Sequence, residues 1–260
     1  MKLERHYVEK PWGRTQLPAD FEAPRGKRIG EVWFVGDRDE PLLAKYLFAS
    51  ERLSIQVHPN DEEARERGSA SGKCECWYIV DAEPNSTLGL GLIRETSADD
   101  LRAAALDGSI EQLIGWRPVR RGDFFLVPPG TIHAIGAGIS LLEFQQKSDL
   151  TFRLYDYGRP RELHLDDAIA VACAAPYPDS LAQHVADDGF GVLADVTQFA
   201  LAYTNRDAFE DRKRWVLPLN GEVSSKDCRA GPGDCLLLEP GETLKSNGAT
   251  MLIGAKAQPS

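Results

Sequence analysis

The amino-acid sequence predicts an all-β protein, two barrels of one design with a few short helices. Its apolar runs are short and end at glycine, proline or acidic turns, which is the pattern of strands. Helices are expected within residues 97–115 and 165–175, with a further short one after Pro59-Asn60-Asp61. A repeat is also legible: RRGDFFLVPPGTIH in the middle of the chain matches AGPGDCLLLEPGETLK near its end, with Gly122-Asp123 over Gly233-Asp234 and Pro129-Gly130 over Pro240-Gly241. Leu244 falls where His133 falls in the first copy. Residues 1–180 are therefore expected to carry the functional site and 186–260 to be a degenerate copy, with a linker within 178–190.

The elements follow in order. Residues 1–30 read as strand fragments and loop, punctuated by Pro11-Trp12-Gly13, Pro18 and Pro24. Strands are expected at 31–35 and 42–49, separated by the polar turn GDRDEP. Segment 53–58, LSIQVH, alternates, putting Leu53, Ile55 and Val57 on one face and Ser54, Gln56 and His58 on the other. Pro59-Asn60-Asp61 ends it, and a short helix and loop follow. In 73–80, KCECWYIV, Lys73, Glu75, Trp77 and Ile79 share a face. Two short helices are expected within 97–115, with capping boxes at Ser97/Asp100 and Ser109/Gln112 and stops at Gly108 and Gly115. A further helix is expected over 165–175. From about residue 190 short strands resume.

Composition narrows the function. A formal net charge of −10 and a pI near 5.1 argue against nucleic acid, whose phosphates are bound by basic patches. No apolar run reaches the ~20 residues of a membrane helix, and MKLERHYVEKPWG carries no signal region. The expected location is cytoplasmic. Cys74, Cys76, Cys173, Cys228 and Cys235 show neither a disulfide framework nor zinc-site spacing and read as thiols, mostly packing. An acidic chain can still take a small anion if it gathers cations in one cleft.

That makes charges inside apolar strands informative, since they cost free energy unless paired, metal-bound or facing a cavity. Lys45 is the only charge among apolar neighbours in 42–49, with a snorkelling edge lysine as the ordinary alternative. Glu143 stands in the run 139–144 and Arg153 in 152–155. His133 follows directly on the turn Pro128-Pro129-Gly130.

The spacing Gly122, five residues, Pro128, one residue, Gly130, two residues, His133 satisfies the second motif of cupins, double-stranded β-helix jelly rolls that bind a metal inside the barrel. The first cupin motif, usually His-x-His and then Glu, is altered here to Gln56-x-His58 with Glu75 on the next strand. The candidate ligands are thus Gln56, His58, Glu75 and His133. Two imidazoles, a carboxylate and an amide suit zinc, while other divalent metals could also be accommodated. His6, His164 and His184 lie outside the pattern.

Taken together, KPWG, LSIQVHPND, GKCECWYIV, GDFFLVPPGTIHAIG and LLEFQQKSDLTFRLYDYGR resemble the type I phosphomannose isomerases of the cupin superfamily, over roughly residues 7–175. The resemblance implies one Zn²⁺ per chain held by Gln56, His58, Glu75 and His133. It implies a sugar-phosphate pocket lined by Lys45, Lys73, Glu143 and Arg153, with Trp12 near its mouth. Arg153 and Arg159 are the phosphate candidates, because a guanidinium binds phosphate oxygens as a fork; Arg159 could equally be a solvated loop residue. The implied reaction is reversible isomerisation of mannose 6-phosphate to fructose 6-phosphate through a cis-enediol, with Glu143 or metal-bound water as base. The alternatives are a non-catalytic sugar-phosphate-binding cupin and a cupin isomerase for another phosphosugar. The thiols of Cys74 and Cys76 flank Glu75 as possible soft competitors for metal. The family's large helical insertion is lacking.

Overall fold

The computed structural model describes residues 1–22, 24–36 and 39–258; part of the turn expected after the strand at 31–35 lies outside them. The chain forms two compact units, one comprising Met1–Phe48, Leu141–Gln146 and His184–Ser260, the other Ala49–Ser140 and Lys147–Gln183.

The second unit is built on a five-stranded antiparallel sheet. Its order is Phe152–Tyr155, Ile55–Val57, His133–Ile135, Thr87–Leu92 and Ile114–Pro118. Gln56 stands opposite both His133 and Arg153 in this sheet. A separate pairing joins Glu75–Ala82 to Asp123–Val127, with Glu75 opposite Val127. Ile55, Val57, Leu101, Ile110, Ile132 and Leu154 are buried in one core cluster, so the apolar face of LSIQVH turns inward as its alternation requires.

Turn chemistry sets the boundaries. Strand Ile55–Val57 is shorter than the expected 53–58 because Pro59 has no N–H to continue a ladder and Asn60 caps the helix Asp61–Glu66. Asn60 Oδ1 accepts from the Glu62 and Glu63 amides at 2.9 and 3.0 Å, and Glu63 Oε2 accepts from the Asn60 amide at 2.8 Å, a complete capping box. Ser97 caps the helix Ala98–Asp107, and Gly108 ends it with φ of 83°.

Three local expectations are corrected. Ser109 makes no side-chain cap; its amide donates instead to Asp107 Oδ1 at 2.8 Å. Gly115 is no helix stop but lies within the strand Ile114–Pro118. The helix expected over 165–175 is Leu165–Val171, because the Cys173 amide donates to the Gly130 carbonyl at 2.8 Å and the Leu92 amide to the Ala175 carbonyl at 3.0 Å. Pairing with neighbouring backbone overrides the helix propensity of the alanines.

In the first unit the N-terminal segment forms a continuous bulged strand, Glu4–Arg14, rather than fragments. It pairs with Ile29–Val35, which pairs with Leu42–Phe48. A five-stranded sheet runs Gly191–Asp195, Phe199–Thr204, Met251–Lys256, Arg214–Pro218 and Leu236–Leu238. The N-terminus is tied to this C-terminal region by Leu3 N to Cys235 O at 2.9 Å and by Arg5 to Asp234 at 2.6 Å. No helix among the described residues is long and apolar enough to cross a membrane.

Candidate metal centre

The turn expected to deliver His133 does so. Gly130 has φ of 84°, a left-handed conformation that favours glycine, and its amide donates to the His58 carbonyl at 2.8 Å, tying the turn before His133 to the end of the segment that carries Gln56 and His58. His58, Glu75 and His133 converge and are all buried; their ligand atoms lie within 4.8 Å of one another.

Each imidazole is oriented through its other nitrogen. His58 Nδ1 lies 2.9 Å from the Leu150 carbonyl and His133 Nδ1 2.9 Å from the Thr131 carbonyl. A carbonyl only accepts, so both Nδ1 atoms carry the proton and both Nε2 atoms present lone pairs inward. Glu75 Oε1 lies 3.6 Å from His58 Nε2 and 3.5 Å from His133 Nε2 and accepts no hydrogen bond. Three donor-type atoms thus face one another in a buried cluster whose charge Lys73 balances in part. A metal at about 2.0–2.2 Å from nitrogen and oxygen donors spaces tetrahedral ligands by roughly 3.3–3.6 Å, so the residues fit such an ion. Trp77 stands edge-on to His133 at 5.3 Å between ring centres and walls the site.

Gln56 is adjacent but turned. Its Nε2 lies 3.2 Å from His133 Nε2, and its Oε1 accepts from Ser54 Oγ at 3.0 Å. Rotating the amide by half a turn would present Oε1 to a metal, and the Ser54 hydroxyl, both donor and acceptor, would accept from Nε2 instead. Lys73 supplies a protein cation, with Nζ 2.6 Å from Glu75 Oε2 and 3.1 Å from His58 Nε2. Cys74 and Cys76 are not in the donor cluster. Burial, followed by the charge of Glu75, pushes the Cys74 thiol up to about 12.

Arg153 is half-buried. Its Nη1 donates to the Glu162 carbonyl at 3.0 Å, and burial, then the nearby Arg161, holds its pKa below the usual arginine value. Arg159 is engaged more fully, 2.9 Å from Asp156 and donating to the Arg52 carbonyl at 2.6 Å. Asp156, buried, also receives both ends of the Arg161 fork.

In the first unit Lys45 is 5% exposed, so it is not a snorkelling edge residue. Its Nζ lies 3.4 Å from Glu31 and 3.3 Å from Glu143, both buried. Lys10 at 3.3 Å and the Trp33 indole at 3.0 Å complete the surroundings of Glu31. Burial acts to raise the Glu31 pKa, but Lys45 and Lys10 outweigh it and hold the carboxyl below its ordinary value. Glu31 was not singled out from sequence, although a carboxylate in the apolar run RIGEVWFV was the available signal. Trp12 is 3% exposed, with its ring against Gly30, where an added Cβ would come within 2.7 Å of it.

The strand pattern and the inward donor cluster define a cupin-fold protein with a candidate metal site. No family model matches the chain. Over 177 residues it is 42% identical to the mannose-6-phosphate isomerase ManA of Bacillus subtilis, covering 62% of this chain and 55% of that one. The chain thus spans about half the length of the curated relatives it matches. The crystal structure of a Bacillus subtilis mannose 6-phosphate isomerase superposes with a TM-score of 0.80 at 26% identity, covering 97% of this chain and 98% of the other. A mannose 6-phosphate isomerase crystallised with zinc and yttrium shares the fold, with a TM-score of 0.76 and 15% identity over 99% of both chains. The resemblance legible in the motifs is thus also a resemblance of whole sequence segments and of fold.

Proposed function

We propose that the protein is a metal-dependent isomerase that interconverts mannose 6-phosphate and fructose 6-phosphate by proton transfer through a cis-enediol. The observation that carries this reading is the buried convergence of His58, Glu75 and His133, whose ligand atoms lie within 4.8 Å of one another. Gln56 is the fourth ligand after its amide turns. A divalent cation held there would supply Lewis acidity at the oxygens of C1 and C2. Zinc suits this donor set and is one of the two metals, with yttrium, named with a protein of the same fold.

Lys73 then has two tasks. Its ammonium orients Glu75 at 2.6 Å, and its remaining donors stabilise negative charge developing on the substrate. Arg153, with one guanidinium donor committed to a backbone carbonyl, keeps others for a phosphate. Arg159 would have to share its guanidinium between phosphate and Asp156 and is the weaker anchor. For Lys45, Glu143 and Trp12 the assignment rests on the matching motifs. The ion pair between Lys45 and Glu143 makes them a coupled proton-transfer or charge-stabilising candidate, to be tested by Lys45→Met and Glu143→Gln. Free thiols and an anionic metabolite as substrate accord with a cytoplasmic location.

His133→Ala tests the site. Bound metal and turnover are expected to fall together, by more than the ~10–100-fold that loss of an outer-shell partner causes, while the β-sheet circular dichroism is kept. An active, metal-free variant would overturn the assignment. Retained metal without turnover on mannose 6-phosphate in the unaltered protein would instead make it a sugar-phosphate-binding protein.

A further inference from the structure

The repeat seen in sequence is reproduced in backbone detail. Gly122 and Gly233 have φ of 90° and 81°, and Gly130 and Gly241 have 84° and 78°. Asp123 accepts from the Arg120 amide at 2.9 Å, as Asp234 does from the Gly231 amide at 3.1 Å. The Gly130 amide donates to the carbonyl of His58 and the Gly241 amide to that of Glu210, each at 2.8 Å. Corresponding positions can therefore be read from strand register. Glu75 stands opposite Val127 in the first copy, and Arg214 stands opposite Leu238 in the second. Val127 and Leu238 are the same position of the repeat, so Arg214 occupies the place of the metal-site carboxylate. Leu244 occupies that of His133, and Glu210, exposed, that of His58.

Arg214 is fully buried. Its Nε and Nη2 donate to Asp207 Oδ1 and Oδ2 at 2.9 and 2.8 Å. Its Nη1 and Nη2 also donate to the carbonyls of Glu239 and Glu242 at 3.3 and 2.5 Å. Asp207 Oδ2 accepts from the Leu244 amide at 3.1 Å. Glu242 is the counterpart of Thr131, whose carbonyl orients His133. The guanidinium thus joins the strand Arg214–Pro218 to the turn that in the first copy carries a metal ligand.

We propose that the Arg214–Asp207 pair is the structural replacement for a metal centre in the C-terminal repeat, a permanent internal cation that holds the glycine turn 239–244 without metal. A buried guanidinium cannot be deprotonated and needs several acceptors in fixed directions, which the carboxylate and two turn carbonyls supply. It positions the turn and closes that repeat to a second metal ion. The inference rests on the first copy being the metal-binding one.

Hydrogen exchange of the whole protein, followed peptide by peptide, tests it. In Arg214→Met, exchange in 239–244 is expected to speed up by roughly tenfold or more, as for a segment opened locally, with metal content and exchange in 128–133 unchanged. Chelation of the unaltered protein is expected to do the reverse. Should Arg214→Met fail to fold, Asp207→Asn, which keeps the shape and removes the charge, is expected to raise exchange in the same turn. Unchanged exchange in 239–244 in these variants, or a turn there that loosens on chelation, overturns the proposal. If chelation leaves 128–133 untouched, the metal reading of the first copy fails while the Arg214 arm still reports on its own.

Discussion

Residue by residue, the candidate centre is defined by what each side chain is prevented from doing. Carbonyls of Leu150 and Thr131 orient both imidazoles through Nδ1, and Lys73 forms an ion pair with Oε2 of Glu75 at 2.6 Å. This preorganisation was only half legible in sequence. The spacing around Gly130 and the alternation in LSIQVH singled out His133, Gln56 and His58 as candidates, because those signals are local, and His58 and His133 do converge with Glu75. The carbonyl partners come from loops, whose contribution depends on folding and not on residue type. Glu31 was missed for a similar reason, since its two cations, Lys10 and Lys45, reach it from neighbouring strands. A prediction belongs to this scale. The Glu31 carboxyl is depressed below its ordinary 4.5, so its contribution to stability is fully present above that value and is lost as pH falls through the lower folded value. Glu31→Gln is expected to cost about 3 kcal/mol at neutral pH, as for a broken buried pair. The gap to the unaltered protein should narrow as pH falls below the ordinary carboxyl value of 4.5. Urea titrations at stepped pH read this directly; a pH-independent gap contradicts the depressed carboxyl.

Among the elements, the turns are the most exacting parts. Strand positions were readable wherever alternation or a glycine turn marked them, as at Asp123–Val127 and Phe152–Tyr155. Two of the errors fell where long-range backbone pairing decides, Gly115 in a strand and the helix Leu165–Val171 cut short by the bonds of Cys173 and Ala175, and the third, at Ser109, is a local bond to Asp107 in place of the expected cap. Asn60 shows how a cap serves the site. It begins the helix two residues after His58, while the neighbouring Pro59 carbonyl accepts from the Lys73 amide at 3.0 Å. Asn60→Ala is expected to lower stability by about 1 kcal/mol and to weaken metal binding, since His58 and Lys73 both lean on this turn. Thermal denaturation with and without added metal measures both effects; loss of stability with unaltered metal affinity would make the cap purely structural.

Over the whole molecule, the buried donor cluster among the described residues is His58, Glu75 and His133, all within the unit Ala49–Ser140 and Lys147–Gln183. An ion bound to the folded state alone stabilises it by mass action, by about 2.7 kcal/mol at a hundredfold excess over Kd. For a chain of this size that corresponds to roughly 5–10 °C in the melting temperature. Chelation should produce a fall of that order, concentrated in Ala49–Ser140 and Lys147–Gln183; a melting curve indifferent to chelator would place no metal in the folded protein.

The most direct test joins metal content to turnover in one preparation. The protein is stripped with chelator, assayed for conversion of mannose 6-phosphate to fructose 6-phosphate, and then titrated with zinc while bound metal is counted. Activity is expected to vanish on stripping and to return in proportion to metal, reaching its plateau at about one ion per chain. Full turnover by the metal-free protein would contradict the central claim.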